Sequence, residues 1–183
     1  MAEAFKEFLT FKLGKEEFAI AIDRVQEIRG WKAPSPLPNV PAYVKGVIDI
    51  RGTIVPILDL RQRFHIPAEF KATTVVIVVN IMTSQGERIV GLVVDAVSDV
   101  NHFDVNALQP PPDISNSIDS QYMQGLTTVH DQKDQVKETE DRMNRSKTTK
   151  GQMVIVIDID KLASEGLIEQ IVNSDEAVPL RNG

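Results

Sequence analysis

The 183-residue sequence contains no cysteine, no long apolar run and no excess of positive charge. Without cysteine, the chain forms no disulfide, no thiolate zinc site and no cysteine nucleophile. The most apolar run, Val75 to Val79, is far shorter than the roughly 20 residues that span a bilayer. Lysine and arginine total 20 against 26 aspartate and glutamate residues, and this net charge of −6 disfavours nucleic acid and anionic membranes as partners. The first seven residues lack the regions of a signal peptide, so we expect a cytoplasmic protein.

Short apolar runs that alternate or are β-branched dominate the chain, which is typical of many short strands. The pattern predicts strands over residues 8–13, 17–22, 47–50, 53–58, 74–82, 88–94 and 153–159. The first two form a predicted hairpin around Gly14. Helical spacing of apolar residues is confined to 160–172. The expected fold is therefore mainly all-β, with one C-terminal helix.

The sequence also contains an internal repeat. Residues 18–28 align with 90–100 at an offset of 72, 43–47 with 122–126 at 79, and 57–60 with 156–159 at 99. The change from 79 to 99 places about 20 extra residues in the second copy. The chain is thus predicted to consist of two related β units, the second with an insertion.

The predicted insertion, 127–150, is set apart by its composition. It holds 11 charged residues among 24 and few large apolar ones, so it contributes little core. Most of the observations favour a flexible polar loop. The alternative is a stable helical excursion that binds a partner, because several opposite charges lie four residues apart.

Four ordered blocks of sequence resemble those of CheW, the bacterial chemotaxis coupling family. The blocks are VQEIRG (25–30), PAYVKGV (41–47), RGTIVPILDLR (51–61) and GLVVDAVSDV (91–100). The resemblance covers about residues 8–162. It implies one domain, 5–172, built from two five-stranded SH3-like β-barrels that share an apolar core, at about 15–83 and at 5–14 with 84–165. The remainder, 173–183, is expected to be a disordered tail.

The resemblance also implies a function without catalysis. The family joins the cytoplasmic tips of chemoreceptors to the regulatory domain of the histidine kinase CheA, and its members assemble into rings with CheA or with further CheW copies. A protein of this kind is recruited to receptor clusters at the inner membrane, does not insert into it and needs no cofactor. An auxiliary adaptor of a non-chemotaxis pathway is the nearest alternative.

Carried over residue by residue, the resemblance predicts a receptor-binding groove. Its members here are Val25, Glu27, Gly46, Arg51, Gly52, Val75, Gly91, Val97 and Val100. A helical receptor tip docks by placing apolar residues in such a groove. The alternative for the valines is strand packing, and for the glycines a turn or a bulge. Glu27 and Arg51 are expected to lie close together and to orient the partner, because exposed ion pairs stabilise little.

Contact with the kinase or with other ring members is predicted for Gln109, Asp113 and Ile114. Gln109 stands where the family often has arginine, and because glutamine is uncharged no ion pair is expected at this position.

An enzymatic or small-molecule-binding β domain is the most different alternative. His65, His102 and His130 are scattered in the sequence, and no nucleophile elbow or phosphate-binding loop is present. Asp158 and Asp160 could share a face for metal or acid–base chemistry. Asp158 is, however, the repeat partner of Asp59, which indicates a hydrogen-bonding role at the end of a strand. The sequence therefore favours a protein-binding function.

Overall fold

The computed structural model describes residues 4–110, 122–129 and 151–164. The strands, numbered in chain order, are β1 (Phe5–Leu13), β2 (Glu16–Ala21), β3 (Val25–Gly30), β4 (Val44–Ile50), β5 (Thr53–Asp59), β6 (Val75–Thr83), β7 (Gly86–Val94), β8 (Ala96–Asp104), β9 (Met123–Val129) and β10 (Gln152–Ile157). A 3₁₀ turn spans Ile22–Arg24, and two short helices follow strands: α1 (Leu60–Arg63) and α2 (Ile159–Ser164).

The strands form two five-stranded sheets. The first barrel has the order β3-β6-β7-β5-β4, and the second has the order β8-β1-β2-β10-β9. Neighbouring strands are antiparallel except for one parallel pair in each barrel, β5 with β7 and β2 with β10. The predicted fold class, two five-stranded SH3-like units in a mainly β protein, is confirmed.

The two barrels exchange strands. The repeat aligns β1–β5 with β6–β10, yet each barrel combines three strands of one copy with the first two strands of the other. The expected boundaries at 14/15 and 83/84 are therefore wrong, because β2 belongs to the second barrel and β7 to the first. Each of the hairpins β1–β2 and β6–β7 stays intact and adds its second strand to a parallel ladder in the barrel it joins. The chain crosses between barrels at Ile22–Arg24 and at Asp95.

A single large core lies between the barrels. Apolar residues of β1 and β2 and apolar residues of β5, β6 and β7 belong to the same buried cluster. Phe18 of the second barrel stacks between Phe11 and Phe64, with ring centroids 6.1 and 6.0 Å apart. Each barrel also has a smaller cluster of its own. The prediction of a shared apolar core is thus correct.

Three strands and one helix were not expected from the sequence. Strands β3, β8 and β9 lie at the ends of their sheets and carry many polar residues, so their apolar alternation is weak. The single turn α1 begins at Asp59, whose carboxylate accepts a hydrogen bond from the backbone N–H of Arg61 at 3.0 Å. The expectation of a helix at the C-terminus alone is therefore wrong.

The predicted insertion begins too early. Residues 127–129 belong to β9, and Val129 pairs with Gln152 across the β9–β10 hairpin. The two interpretations of residues 130–150, a polar loop or a helix, lie outside the described residues. The C-terminal helix begins at Ile159, one residue before its predicted start, and its predicted part beyond Ser164 is likewise outside them.

Candidate functional site

Strands β3 and β8 occupy corresponding edges of the two barrels. Each has one β-bulge, and the bulged residues, Gln26 and Ser98, are repeat partners at the offset of 72. Just beyond the bulges, Ile28 and Val100 are 45% and 41% exposed. A bulge redirects the side chains that follow it, and an edge strand leaves backbone groups open to a partner. The two edges therefore present apolar side chains on exposed strands.

Three predicted valines lie at the rim of the shared core. Val25, Val75 and Val97 are half-buried and pack against the same apolar cluster. Val25 and Val97 are repeat partners near the starts of β3 and β8. Val75 instead pairs with Gly30 at the far end of β3, four pairs along from the pairing of Val25 with Val79. About 13 Å of strand therefore separates Val75 from Val25.

Glu27 and Arg51 form an ion pair on the first barrel. The Arg51 guanidinium donates a hydrogen bond to Glu27 Oε1 at 2.8 Å, and Arg29 lies 3.6 Å from Glu27 Oε2. The Arg51 side chain is 75% exposed and that of Glu27 is 26% exposed. The predicted proximity of Glu27 and Arg51 is therefore correct. In so exposed a pair, Arg51 keeps most of its hydrogen-bonding capacity for a partner.

Arg51 is presented by a strained two-residue turn between β4 and β5. Arg51 and Gly52 have φ angles of 49° and 87°, which matches the hairpin turn that favours residues able to adopt positive φ. Asp49 Oδ1 accepts a hydrogen bond from the backbone N–H of Gly52 at 2.7 Å. The left-handed conformation is unfavourable for arginine, so the turn supports the position of an exposed charge at a local cost.

Two other predicted site residues act within the fold. At Gly46 (φ 136°), an added Cβ would lie 2.0 Å from the carbonyl oxygen of Ser35, whose backbone pairs with Val47. At the buried Gly91, an added Cβ would lie 2.6 Å from Ile57 Cδ1. Both glycines permit a close approach within the first barrel. Gly46 lies at the register shift of the β4–β5 pair, as the alternative of a turn or a bulge predicted, whereas Gly91 lies in the regular β6–β7 ladder and in neither a turn nor a bulge. Gly91 offers no surface to a partner.

The predicted kinase and ring contact is described only in part. Gln109 is exposed, and its backbone exchanges hydrogen bonds of 2.9 and 2.8 Å with Leu126 of β9. By the offset of 79, Leu126 is the repeat partner of Val47, which pairs with Ser35 in the first barrel. Each barrel therefore has a loop segment that pairs with its edge strand at the equivalent position. Asp113 and Ile114 lie outside the described residues.

A buried charge network joins the two barrels, and the sequence analysis did not identify it. Arg61 and Asp59 are fully buried. Arg61 donates two hydrogen bonds of 2.9 Å to Asp59, one of 2.7 Å to Asp95 and one of 2.8 Å to the carbonyl oxygen of Glu69. Asp95 in turn accepts from the backbone N–H of Gly14, in the β1–β2 turn of the second barrel, at 2.6 Å. The network thus ties α1 to both barrels.

Opposing effects act on Arg61. Burial lowers the pKa of its guanidinium, but the hydrogen bonds to Asp59 and Asp95 outweigh burial and leave the pKa raised. Arg61 therefore stays charged and neutralises the buried carboxylates. Sequence offered one signal for this network, the alignment of Asp59 with Asp158 at matching strand ends.

The Arg63 guanidinium lies over two tyrosines that are repeat partners. It is 5.8 Å from the ring centre of Tyr43 and 5.1 Å from that of Tyr122, and it donates a 2.8 Å hydrogen bond to the Tyr122 hydroxyl. The Tyr43 hydroxyl is buried and has no partner among the described residues. Burial raises the pKa of Tyr43, and the positive charge of Arg63 offsets part of that rise.

Arg24 and Asp160 form a second charged contact between the barrels, where the chain passes from β2 to β3. Arg24 donates two hydrogen bonds to the Asp160 carboxylate, one of them 3.0 Å long, and its side chain is 28% exposed. Asp160 also accepts from the backbone N–H of Met82, at the end of β6, at 3.0 Å. Asp158 accepts from the backbone N–H of Asp160 at 3.1 Å, which confirms the strand-end role that its repeat with Asp59 predicted.

No catalytic arrangement emerges in the described part of the chain. His65 is exposed, and exposed His102 lies 3.6 Å from Glu7. His130 is outside the described residues. Among the residues described, no group of three or more histidine or acidic side chains is arranged to hold a metal. Within the same residues, none of the helices has the length and apolar character to cross a bilayer.

Two interlocked barrels with exposed edge strands and a charged pair at one edge define a protein-binding domain. The CheW-like domain family matches residues 7–166, and the chain therefore belongs to the CheW-like family.

Similar proteins cover nearly the whole chain. The chemotaxis protein CheW of Klebsiella aerogenes is 36% identical over 173 residues, which are 92% of this chain and 90% of that protein. The chemotaxis protein CheW of Treponema pallidum is 27% identical over 168 residues, 91% of this chain and 87% of that one. The crystal structure of scaffolding protein TtCheW from Thermoanaerobacter tengcongensis superposes with a TM-score of 0.66 at 27% identity, covering 85% of this chain and 90% of that one.

Proposed function

We propose that this protein is a non-catalytic adaptor that couples the cytoplasmic tips of chemoreceptors to the histidine kinase CheA. It acts in the cytoplasm at receptor clusters. The observation that carries the proposal is the ion pair between Glu27 on the edge strand β3 and the exposed Arg51 in the β4–β5 turn, in a chain that belongs to the CheW-like family.

The receptor surface in this proposal runs along the edges of the two barrels. Ile28 and Val100 supply exposed apolar side chains, and Val25 and Val97 form the half-buried rim behind them. An amphipathic receptor helix would place its apolar face against these residues. The Glu27–Arg51 pair would select and orient that helix, since exposed charges contribute more to specificity than to affinity.

The glycines of the predicted site have an indirect role in this proposal. Gly52 permits the turn that presents Arg51, and Gly46 permits the close approach of Ser35 to β4, the strand that leads to that turn. Val75 would contact a partner only at the far end of β3. The residues that touch the receptor are thus fewer than the predicted set.

Kinase and ring contacts are assigned in this proposal to the end of the second barrel. Gln109 is exposed there on a segment held to β9 by two backbone hydrogen bonds. With Asp113 and Ile114 it would meet the CheA regulatory domain or another copy of this protein end to end. Gln109 is uncharged, so this contact would rest on hydrogen bonding and apolar packing.

Co-sedimentation with receptor-containing membranes tests the receptor surface. We expect the protein to sediment with the membranes and to bring CheA with it. Arg51→Ala should weaken sedimentation while the thermal midpoint shifts by no more than about 2 °C, because the side chain is exposed. Lys15→Ala, which removes an exposed positive charge from the second barrel, serves as the matched control. Sedimentation that is equal for both variants would remove Arg51 from the receptor surface.

A further inference from the structure

The start of β3 is held by contacts from outside its own barrel. Arg24, the last residue of the 3₁₀ turn, directly precedes Val25, the first residue of β3. Its guanidinium binds the carboxylate of Asp160, on the helix that follows the last strand of the second barrel. The strand proposed to contact the receptor on the first barrel is therefore anchored by the second.

The same carboxylate also holds the strand next to β3. Asp160 Oδ1 accepts a hydrogen bond from the backbone N–H of Met82 on β6, and β6 is the strand with which β3 pairs. Arg24 reaches β6 too, since it donates to the carbonyl oxygen of Asn80 at 3.4 Å. Asp160 thus fixes the 3₁₀ turn and β6 to a single point.

A further contact connects Asn80, which Arg24 also binds, to the bulge of β3. Gln26, the bulged residue, donates from Nε2 to Asn80 Oδ1 at 2.7 Å. The bulge sets the directions of Val25 before it and Glu27 after it. A shift of Arg24 would therefore be transmitted to the residue that binds Arg51.

We propose that Arg24 and Asp160 are positioning residues for receptor binding, which set the placement of β3 without touching the receptor. The inference rests on the proposed function. It assigns to the second barrel a part in shaping the receptor surface of the first. The half-exposed ion pair holds the turn closely enough to order β3, and its loss leaves the two barrels joined through the buried Arg61 network and the shared core.

Receptor affinity measured with a purified receptor fragment tests this role. Asp160→Asn and Arg24→Gln should each lower affinity by about fivefold, which is the most that a half-exposed ion pair supports. Asp23→Asn is the matched control, because Asp23 lies in the same turn, is exposed and makes no ion pair in the described structure. It should bind the receptor fragment as the wild type does. CheA binding should be the same for all variants.

Three further measurements separate positioning from a general loss of structure. Arg24→Lys keeps the positive charge and should retain affinity within about twofold of the wild type. The double variant Arg24→Gln/Asp160→Asn should bind as each single variant does, because the two changes break one contact. Amide hydrogen exchange in the single variants should quicken at residues 25–27 and stay unchanged in β8.

The outcomes distinguish the inference from the proposed function. If the wild type fails to bind the receptor fragment, the proposed function is wrong. If the wild type binds and Arg24→Gln binds equally well, the positioning role is wrong. Loss of both receptor and CheA binding in Asp160→Asn would mean that α2 is required for folding, and Arg24→Gln, on a separate element, then decides the question.

Discussion

The two junctions between the barrels contain the same kind of contact with the charges exchanged. At one, Arg61 of α1 binds Asp95 in the link between β7 and β8. At the other, Asp160 of α2 binds Arg24 in the link between β2 and β3. Asp160 is the repeat partner of Arg61, and Arg24 is adjacent to Asp23, the repeat partner of Asp95. Both junctions therefore contain an ion pair between a helix and a link that joins the barrels. The base is on the helix at the first junction, and the acid is on the helix at the second.

The junctions differ in burial, and this difference separates their roles. Arg61 is fully buried and makes four side-chain hydrogen bonds, to Asp59, Asp95 and the Glu69 carbonyl, whereas Arg24 and Asp160 are about one-third exposed. A buried charge must be paired because removal from water is costly, whereas water readily replaces the partner of an exposed charge. We therefore assign the first junction to stability and the second to the placement of β3.

Replacement of Arg61 has the largest expected effect. Arg61→Met leaves Asp59 buried without its partner and should lower the free energy of unfolding by about 3–5 kcal/mol. The same change at Arg24 should lower it by only about 0–1 kcal/mol, since that pair is partly solvated. Urea unfolding of both variants measures the difference. Similar losses at the two junctions would contradict the distinction drawn between them.

The next comparison is between Gly46 and Gly125, the two glycines at which a loop segment lies against an edge strand. Gly46→Ala places a Cβ 2.0 Å from a backbone oxygen at a φ of 136° and should cost about 2–4 kcal/mol. At its repeat partner Gly125, an added Cβ would lie 2.7 Å from the Leu108 side chain and 3.0 Å from the Gln109 oxygen, without a positive φ, so Gly125→Ala should cost about 1–2 kcal/mol. Thermal or urea unfolding of each single variant checks the order. A greater loss at Gly125 would show that the second barrel is the less tolerant at this position.

Removal of the two tyrosine hydroxyls should have unequal effects on stability. Tyr122→Phe removes a hydrogen bond from Arg63 and should cost about 1–2 kcal/mol at neutral pH. Tyr43→Phe removes no described hydrogen bond and should change stability by less than about 0.5 kcal/mol.

The dependence of stability on pH above 10 tests the raised pKa of Tyr43. Because the folded-state pKa lies above 10.0, the contribution of Tyr43 is complete below pH 10 and is lost as the pH rises through the folded-state value. The wild type should therefore lose stability relative to Tyr43→Phe above pH 10. Parallel curves for the two proteins across that window would show that the tyrosine is not shielded as described.

The equivalent hairpins β4–β5 and β9–β10 give the last comparison. The pair Ile50 and Thr53 is joined by two residues, whereas the corresponding pair Val129 and Gln152 is joined by 130–151. Replacement of 130–151 by Asn-Gly should raise the free energy of unfolding by no more than about 2 kcal/mol, because closure entropy changes by only about 0.6 kcal/mol for each doubling of loop length. Circular dichroism and urea unfolding provide the measurement. A variant that fails to fold would show that the segment is a required part of the domain.

The sequence predicts the strands whose apolar residues are buried in the core. Short apolar runs located β1, β2, β5, β6, β7, β10 and the last four residues of β4, and the repeat placed Asp59 and Asp158 at equivalent strand ends. Polar edge strands escaped prediction because only part of each strand packs on the core. The boundaries of the barrels escaped it too, because a repeat in sequence records duplication and does not reveal that the copies exchange hairpins.

The site was predicted in the same uneven way. The matched sequence blocks brought Glu27 and Arg51 together, as the structure does at 2.8 Å. They could not separate a residue that faces a partner from one that only permits close packing, such as Gly91. The contacts of Arg61 and of Asp160 were hidden because each joins segments far apart in the chain, across 34 and 136 residues.

A reconstituted kinase assay tests the adaptor function most directly. The protein is titrated into receptor-containing membranes with CheA, and autophosphorylation of CheA is followed with and without receptor ligand. We predict that the protein alone has no activity, that kinase activity rises with its concentration, and that ligand then controls this activity. Kinase activity that stays unchanged across the full titration would contradict the account.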